Sequence, residues 1–276
     1  MENNQKPLVS VITATWNREK FLIKLAESLI KQSFKNFEWI VGNDGSEDNT
    51  DKLIKEFAHK ADFKIKYINS SHRIGKSKMD NLLYKNISGR YVTQCGSDDI
   101  LLPNALEHMV ELTNKIPKEK EDDYAGVLSI AIDENSVNQT FDSKILQKSI
   151  TTISFEELKD NNLGDATTLE LYKHLKGKKF LEVDFLIHES SFFNKIFQNK
   201  NYIVSNKVTK VMDRTAKNSV SFGKKIQYCR GSAFSLSLTE TKNSFNKKKF
   251  FSKIKTVLNY WRFTIHGEIT FKDAKQ

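Results

Sequence analysis

The fold is decided by the stretch Gly89–Pro103, which reads Gly-Arg-Tyr-Val-Thr-Gln-Cys-Gly-Ser-Asp-Asp-Ile-Leu-Leu-Pro. The apolar and aromatic run Tyr91–Cys95 is typical of a buried strand, and it stops at the polar segment Gly96–Asp99. We expect a helix to begin near Pro103, because proline is favoured in the first turn of a helix. Two adjacent acids just past the carboxyl end of a strand can hold a hard divalent cation against nucleotide phosphates. The simpler alternative is that the two acids only cap the following helix.

The residues before this stretch alternate between strand and helix patterns. Runs rich in β-branched residues predict strands, and apolar residues at helical spacing predict helices. The predicted strands are Leu8–Thr15, Phe37–Gly42 and Lys64–Ile68, and the predicted helices are Glu19–Gln32, Asp51–His59 and Ser77–Lys85. This β-α-β-α-β-α-β order indicates a doubly wound parallel sheet, which binds ligands at the carboxyl ends of its strands.

The bulk composition fits one large α/β domain or a domain with an appended lobe. The chain has 276 residues, of which 38% are hydrophobic, and a net charge of +10 that favours anionic partners. The two cysteines, Cys95 and Cys229, are far apart and show no metal-binding spacing, which fits a reducing compartment. The polar start Met1–Lys6 has no apolar core of a signal peptide, so we expect a cytoplasmic protein.

The second half of the sequence is less regular. A charged break at Pro117–Tyr124 separates it from the first half, and Gly126–Asp133 and Tyr202–Val211 are predicted strands. Helices are predicted at Phe155–Leu158, Thr167–Leu175 and Ser190–Phe197.

Four segments together resemble the sequence motifs of family 2 glycosyltransferases. Val9–Arg18 is similar to the opening strand and loop, Trp39–Thr50 with its Asn-Asp-Gly-Ser core to the second motif, His72–Asn81 to the third, and Gly89–Pro103 to the metal loop. The resemblance is good over about the first 110 residues and thins afterwards.

The resemblance implies the GT-A fold, an α/β fold with a Rossmann-like, mostly parallel sheet flanked by helices. It implies an inverting transfer from a nucleotide-diphosphate sugar, with UDP as the default nucleotide and Mn²⁺ or Mg²⁺ as cofactor. We divide the chain into a donor-binding half, residues 1–116, an acceptor-binding half, residues 117–235, and a helical tail, residues 236–276.

The donor-binding residues follow from matching the family's motifs. In family members the first loop and the Asp-Gly-Ser turn contact the base and ribose, and a basic residue of the third motif lies near the diphosphate. The matching positions here are Thr13, Thr15, Asn17, Arg18, Asp44, Gly45, Ser46, Arg73, Lys76, Ser97 and Asp98.

The metal loop departs from the family pattern at its first position. Many members read Asp-x-Asp-Asp, whereas Gly96 stands first here. Gly-Ser-Asp-Asp versions also occur in the family, so the loop is compatible with an active site. We expect Asp98 to bind the metal directly and Asp99 to support it.

An inverting transfer also needs a general base for the acceptor hydroxyl. Glu189 lies between an apolar run and a predicted helix, in a segment similar to the Glu-Ser segment of some bacterial members. We expect Glu189 to be the base, with Asp184 and Asp213 as reserves. A simpler alternative is that Glu189 is only an acid at a helix N-terminus, where the helix dipole favours it.

The tail contains a basic segment, residues 246–264, in which lysines interleave with aromatic and aliphatic residues. This pattern is typical of a helix that lies on an anionic membrane face. The alternative is a helix whose apolar stripe packs on the protein body. The first interpretation predicts a peripheral protein on the inner face of the membrane. The resemblance implies a glycan or lipid-linked acceptor there, in bacterial polysaccharide, lipopolysaccharide or capsule synthesis.

Two competing functions are weighed against the sequence. A fold does not guarantee catalysis, so a non-catalytic nucleotide-sugar or polyanion-binding protein is an alternative. Nucleic-acid binding would need a recognisable binding motif, and the sequence has none, so we expect no nucleic-acid partner.

Overall fold

The computed structural model describes residues 6–133, 148–160, 165–183, 187, 189–213, 215, 232, 253–254 and 256–261. The strands in this part of the chain are β1 Val9–Thr15, β2 Phe37–Asp44, β3 Lys64–Ser70, β4 Tyr91–Gln94, β5 Asp99–Leu101, β6 Tyr124–Asp133, β7 Ile150–Ser154, β8 Ala166–Leu171 and β9 Asn201–Met212. The α-helices are α1 Glu19–Ile30, α2 Thr50–Lys60, α3 Lys76–Lys85, α4 Ala105–Thr113, α5 Phe155–Asp160, α6 Tyr172–Leu175 and α7 Ser190–Phe197, and a 3₁₀ helix spans Lys118–Asp123.

The described strands form one mixed sheet in the order β3-β2-β1-β4-β8-β6-β9-β5, with β7 paired to β9. Strands β3, β2, β1 and β4 are parallel neighbours, so their carboxyl ends share one edge. Strand β8 runs antiparallel to β4 and β6, and β9 runs parallel to β6. The predicted α/β architecture with a mostly parallel sheet flanked by helices is confirmed.

Helices cover both faces of the parallel strands. Apolar residues of α1, α2 and α4, including Leu25, Ile54 and Leu106, share one buried cluster with Val11 and Trp39 of the sheet. Helix α3 contacts β1 and β2 on the opposite face. A sheet covered on both faces explains why nearly every residue of β1 and β2 is buried, rather than every second one.

The sequence interpretation of Thr167–Leu175 as a helix is wrong. Residues Ala166–Leu171 form β8, and only Tyr172–Leu175 are helical. Strand β8 lies between β4 and β6, and it places Leu169 and Leu171 in the core at the two-residue spacing of a strand. The position between two strands decides the conformation, because helix propensity is a weak preference that tertiary pairing overrides.

The polar segment Gly96–Asp99, the two-aspartate loop of the expected metal site, is not followed directly by the helix that we expected near Pro103. A short strand, β5, comes between them. Helix α4 begins at Ala105, while Asp99 and Leu101 pair with Met212 and Lys210 of β9. The end of the metal loop is therefore held by a strand that lies more than 100 residues later in the chain.

The chain divides into two compact units. The first contains Met1–Lys178 and Phe197–Ala216, and the second contains Lys179–Ile196 and Lys217–Gln276. The whole described sheet belongs to the first unit, because β6, β8 and β9 continue the sheet of β1–β4. The assignment of residues 1–116, 117–235 and 236–276 to donor, acceptor and tail functions stays a prediction.

Candidate active site

Loops after β1 and β4 meet at the carboxyl edge of the sheet. The two strands are parallel neighbours, so their ends lie side by side. Arg18, just after β1, places its Nη1 3.2 Å from Oδ2 of Asp98. Both side chains are largely buried, with 8% of Arg18 and 27% of Asp98 exposed. Arg18, a predicted donor-binding residue, thus contacts Asp98, the predicted metal ligand.

The two-aspartate loop is closed by hydrogen bonds within itself. The Gly96 amide donates to Oδ2 of Asp99 at 2.9 Å, and the Asp99 amide donates to the Gly96 carbonyl at 3.1 Å. A Cβ atom at Gly96 would lie 3.0 Å from Oδ1 of Asp98 and 3.1 Å from Oδ2 of Asp99. The two carboxylates therefore converge over a position that has no side chain.

Lys210 of β9 and Asp213, just after it, also contact this loop. The sequence indicated Asp213 only as a reserve base and did not indicate Lys210. Lys210 donates from Nζ to Oδ2 of Asp99 at 3.0 Å, and it is itself buried. The Asp213 amide donates to the Asp98 carbonyl at 3.0 Å. Lys210 was missed because a lysine in an alternating strand is usually solvent-exposed, and only the pairing of β9 with β5 brings it to Asp99.

Burial and neighbouring charges shift the pKa values of Asp98 and Lys210. Burial raises the pKa of the Asp98 carboxyl, and the neighbouring Asp99 adds to this while Arg18 opposes it. Burial by itself lowers the pKa of the Lys210 ammonium, but the Asp99 carboxylate outweighs burial and raises it. Lys210 is therefore charged at neutral pH and forms an ion pair with Asp99.

The second and third motifs bind one another. Asp44, at the end of β2, accepts hydrogen bonds at Oδ1 from the Ile74 amide at 2.7 Å and at Oδ2 from the Gly75 amide at 3.1 Å. Gly45 has φ +68°, and a Cβ atom there would lie 2.3 Å from the carbonyl carbon of His72. Asp44 thus fixes the third-motif loop, and its predicted contact with base and ribose stays a prediction.

The first and second motifs are also joined. The Asn17 amide donates to Oγ of Ser46 at 2.9 Å, and the Glu47 amide donates to Oδ1 of Asn17 at 2.8 Å. Asn17 has φ 51°, a left-handed conformation that asparagine tolerates better than most residues. These bonds hold the loops after β1 and β2 against each other.

Arg73 packs against an aromatic ring. Its guanidinium carbon lies 3.7 Å from the centroid of the Trp16 ring, which is a close cation–π contact between the third and first motifs. Lys76, the second basic candidate, donates to Oδ2 of Asp80 at 2.7 Å within α3. The contacts of Arg73 and Lys76 with a diphosphate stay predictions.

The threonines of β1 are buried, and Ser97 of the metal loop is buried as well. Oγ1 of Thr13 accepts a hydrogen bond from the Trp39 indole at 3.1 Å, so its side chain belongs to the core. Oγ1 of Thr15 is buried and has no hydrogen-bond partner among the described residues. Buried polar groups are normally paired, but Thr93 and Thr167 share this feature, so the donor contacts of Thr13 and Thr15 stay predictions.

The three candidate bases differ in what surrounds them. Glu189 is partly exposed, and its carbonyl accepts from the Phe192 and Phe193 amides at the start of α7 in the second unit. Asp184 lies outside the described residues. Asp213 is 3% exposed, and its carboxylate accepts from Lys24 at 2.8 Å. Burial raises the pKa of Asp213, but hydrogen bonds from Lys24 and Thr215 outweigh it and bring the pKa to about 2.

Comparison with known proteins identifies the family to which the sheet and its loops belong. Residues 10–169, more than half of the chain, match the model of the glycosyl transferase family 2. The chain belongs to this family. The match spans the loops described above and continues through β6 and most of β8.

Several proteins are similar to this family 2 glycosyltransferase. Glycosyltransferase GlyG of Streptococcus pneumoniae is 25% identical over 212 residues, which cover 75% of this chain and 68% of the relative. The GalNAc(5)-diNAcBac-PP-undecaprenol β-1,3-glucosyltransferase of Campylobacter jejuni is 27% identical over 220 residues, covering 79% and 68%. An uncharacterized glycosyltransferase of Rickettsia prowazekii is 31% identical over 125 residues, covering 45% and only 38%.

Solved structures confirm the GT-A fold. The crystal structure of Staphylococcus aureus TarS 1–349 in complex with UDP-GlcNAc superposes with a TM-score of 0.67 at 17% identity, covering 93% of this chain and 72% of the TarS 1–349 chain. The Pyrobaculum calidifontis mannosyltransferase PcManGT in complex with GDP-Man and Mn²⁺ gives a TM-score of 0.62 at 13% identity, covering 96% and 74%.

The metal loop has the donor chemistry that a hard cation needs from the protein. Mg²⁺ in nucleotide sites is held by one or two carboxylates, and the substrate phosphates and water complete its coordination. No group of three or more His, Cys, Asp or Glu side chains able to hold a metal ion occurs in the described ranges. The convergence of the Asp98 and Asp99 carboxylates over Gly96, where a side chain would fill the space between them, fits a cation bound jointly with the donor diphosphate.

Proposed function

We propose that this family 2 glycosyltransferase moves a sugar from a nucleoside-diphosphate sugar, with UDP as the default nucleotide, to a glycan or lipid-linked acceptor. The reaction inverts the anomeric centre and depends on Mn²⁺ or Mg²⁺. The observation that carries the proposal is the Arg18–Asp98 pair, which joins the first motif to the metal loop at the carboxyl edge of the sheet. A doubly wound sheet binds nucleotides at this edge.

Different residues at this edge would bind different parts of the donor: the cation, the diphosphate and the nucleoside. Asp98 would hold the cation, which when bound neutralises charge on the departing nucleoside diphosphate. Arg18 forms its ion pair with Asp98, and a diphosphate oxygen offers its guanidinium an equivalent anionic partner. Thr15, whose buried hydroxyl has no partner in the described part of the chain, would contact the nucleoside.

The acceptor hydroxyl has to lose a proton as it attacks the anomeric carbon. We assign this proton to a carboxylate oxygen of Glu189. Asp213 is a poor choice for the base, because a carboxyl with a pKa of about 2 accepts protons weakly. The buried contacts of Asp213 with Lys24 and with the Asp98 carbonyl support a positioning function instead.

The acceptor class is supported by the relatives. The name of the Campylobacter jejuni relative specifies an acceptor glycan linked to undecaprenol diphosphate. By this similarity we assign the present enzyme to the assembly of a bacterial surface polysaccharide on a lipid-linked acceptor.

An apolar helical face in the second unit supports a peripheral position on the membrane. Residues 253–254 and 256–261 are helical, and no helix in the described ranges is long and apolar enough to cross a membrane. Ile254, Val257, Leu258 and Trp261 follow the three- and four-residue spacing of one helical face, and between 41% and 63% of each is exposed. Lys253 on the helix, with Lys247–Lys249 and Lys255 in the sequence, would attract an anionic surface.

A thermal-shift panel tests the donor site. The protein is mixed with UDP-, GDP-, CMP- and dTDP-sugars, each with and without MnCl₂. We expect the melting temperature to rise with one nucleotide class and only when Mn²⁺ is present, because ligands that bind the folded state stabilise it. No shift with any donor would contradict the proposal and favour a protein of another function on the same fold.

A further inference from the structure

Lys210 is an unusual residue for its position. It lies near the end of β9, where lysine side chains usually reach solvent, yet only 10% of its side chain is exposed. Its Nζ atom is 3.0 Å from Oδ2 of Asp99, 111 residues earlier in the chain. The pairing of Leu101 with Lys210 and of Asp99 with Met212 sets this contact, because both side chains project from the same side of the β5–β9 ladder.

Asp99 is held from two sides. Its Oδ2 atom accepts from Lys210 and from the Gly96 amide at 2.9 Å, and 11% of its side chain is exposed. Asp98 is more open, with 27% of its side chain exposed, and it forms an ion pair with Arg18. The two adjacent carboxylates thus have different surroundings, one anchored in the sheet and one at the edge of the site.

We propose that Lys210 is the positioning residue of the metal loop, and that it makes Asp99 an internal anchor so that Asp98 is the carboxylate that binds the cation. The inference rests on the cation site of the proposed function. The ion pair of Lys210 with Asp99 fixes the loop backbone from Gly96 to Asp99. The fixed backbone sets the orientation of the Asp98 side chain. In other metal sites, residues that orient the metal ligands without touching the metal have the same function, and their loss weakens metal binding.

The single substitution at Lys210 and the double substitution at Lys210 and Asp99 are expected to differ in their effect on stability. Lys210→Met leaves the Asp99 carboxylate buried without its cation, which is strongly destabilising. Lys210→Met combined with Asp99→Asn removes both charges, and such a replacement is often neutral for stability. The asparagine side chain introduced by Asp99→Asn can still accept from the Gly96 amide, so the loop keeps its turn.

The experiment uses the full chain and two readouts. The first is the melting temperature in EDTA, which needs neither donor nor metal. The second is calorimetric binding of UDP and of GDP as a function of MnCl₂ concentration. Lys207→Met changes a more exposed lysine of the same strand, so it is the matched control and should leave both readouts unchanged.

We expect Lys210→Met to lower the melting temperature and to raise the Mn²⁺ concentration for half-maximal nucleotide binding about tenfold or more. The double variant should recover both, with the Mn²⁺ requirement within about threefold of wild type. Asp98→Asn should abolish the Mn²⁺ dependence, and cooperative melting in EDTA is the check that the variant stays folded without its ion pair to Arg18.

Two results would overturn the inference. If Lys210→Met lowers only the melting temperature, Lys210 is a structural residue with no influence on the cation. If the double variant is as stable as wild type but has lost its Mn²⁺ dependence, Asp99 is itself a ligand. Absence of Mn²⁺-dependent nucleotide binding in the wild-type protein would instead refute the proposed function, while the EDTA melting temperatures would still report on the ion pair.

Discussion

Arg18 and Asp98 are 80 residues apart in sequence, yet their side chains form an ion pair 3.2 Å long across the ends of β1 and β4. The pair places a guanidinium on the carboxylate that we assign to the cation. Under the proposed function, Asp98 would exchange Arg18 for the metal when the donor binds, and Arg18 would turn to the diphosphate. Arginine suits this exchange, because its planar fork binds carboxylate and phosphate in the same manner.

Arg18→Ala is expected to impair the enzyme more than to destabilise it. A hydrogen bond to a charged group contributes about 1.5–3 kcal/mol, so we expect a loss in kcat/KM of roughly 10- to 100-fold. The measurement is steady-state release of nucleoside diphosphate. Arg90→Ala is the control, since Arg90 lies just before β4, at the opposite end of the strand, and pairs with Glu121. Equal activity of the two variants would contradict a donor role for Arg18.

Asp44→Ala is expected to loosen the third-motif loop. The Asp44 carboxylate accepts from the amides of Ile74 and Gly75, which then lose their partner. Hydrogen exchange measured by mass spectrometry should show faster exchange in the peptide that contains these amides, with a lowered melting temperature. Asp44→Asn, which keeps one acceptor oxygen, should give an intermediate result. Unchanged exchange in Asp44→Ala would show that the loop is held by other contacts.

Much of this architecture follows from sequence patterns. The β-branched residues of β1 and the helical spacing of apolar residues in α1 predict a parallel sheet covered by helices. A strand that is buried on both faces has few exposed positions, so its sequence is rich in apolar residues. The motifs after β1, β2 and β4 were expected to meet at one edge, and Arg18 and Asp98 do so. Local patterns are sufficient where each strand and its loop are neighbours in sequence.

The rest of the site depends on pairings that no local pattern encodes. Lys210 reaches Asp99 only because β9 pairs with β5, and Thr167–Leu175 contains a strand because β4 and β6 flank it. The expected contact of Asp44 with base and ribose stays a prediction, and its hydrogen bond from the third-motif backbone is a further contact that the sequence did not indicate. A carboxylate near a turn can serve a ligand or the protein's own amides, and sequence does not distinguish these partners.

Asp213 predicts a specific dependence of stability on acid. The folded pKa of about 2 lies below the ordinary value of 3.8, so the unfolded chain takes up the proton first as the pH falls. Asp213 therefore stabilises the protein above about pH 4, and this contribution is lost as the pH falls toward 2. Asp213→Asn should lower the melting temperature at neutral pH and reduce its fall with acid.

The control for this acid titration is Asp62→Asn, because Asp62 is 60% exposed and pairs with Lys35 at the surface. Such surface pairs contribute little to stability, so the control should follow the wild-type curve. A wild-type acid profile for Asp213→Asn would contradict the assigned hydrogen bonds from Lys24 and Thr215.

The exposed apolar face of Ile254, Val257, Leu258 and Trp261 predicts binding to anionic membranes. Flotation with vesicles of mixed phosphatidylglycerol and phosphatidylcholine should recover the protein with the lipid, and pure phosphatidylcholine should recover less. Trp261→Glu, on the apolar face, should reduce the bound fraction severalfold. Lys52→Glu, an exposed residue of α2 in the other unit, is the charge control. Equal recovery of the Trp261 variant would exclude this face as the contact.

The most direct test of the account is release of nucleoside diphosphate from the stabilising nucleotide sugar, measured against MnCl₂ concentration for wild type and Asp98→Asn. Release by the wild type is expected to rise with Mn²⁺ and to stop on addition of EDTA. Asp98→Asn is expected to lose that dependence, with cooperative melting in EDTA as the check that the variant is folded. Metal-dependent release by Asp98→Asn at the wild-type rate would contradict the assignment of the cation to Asp98.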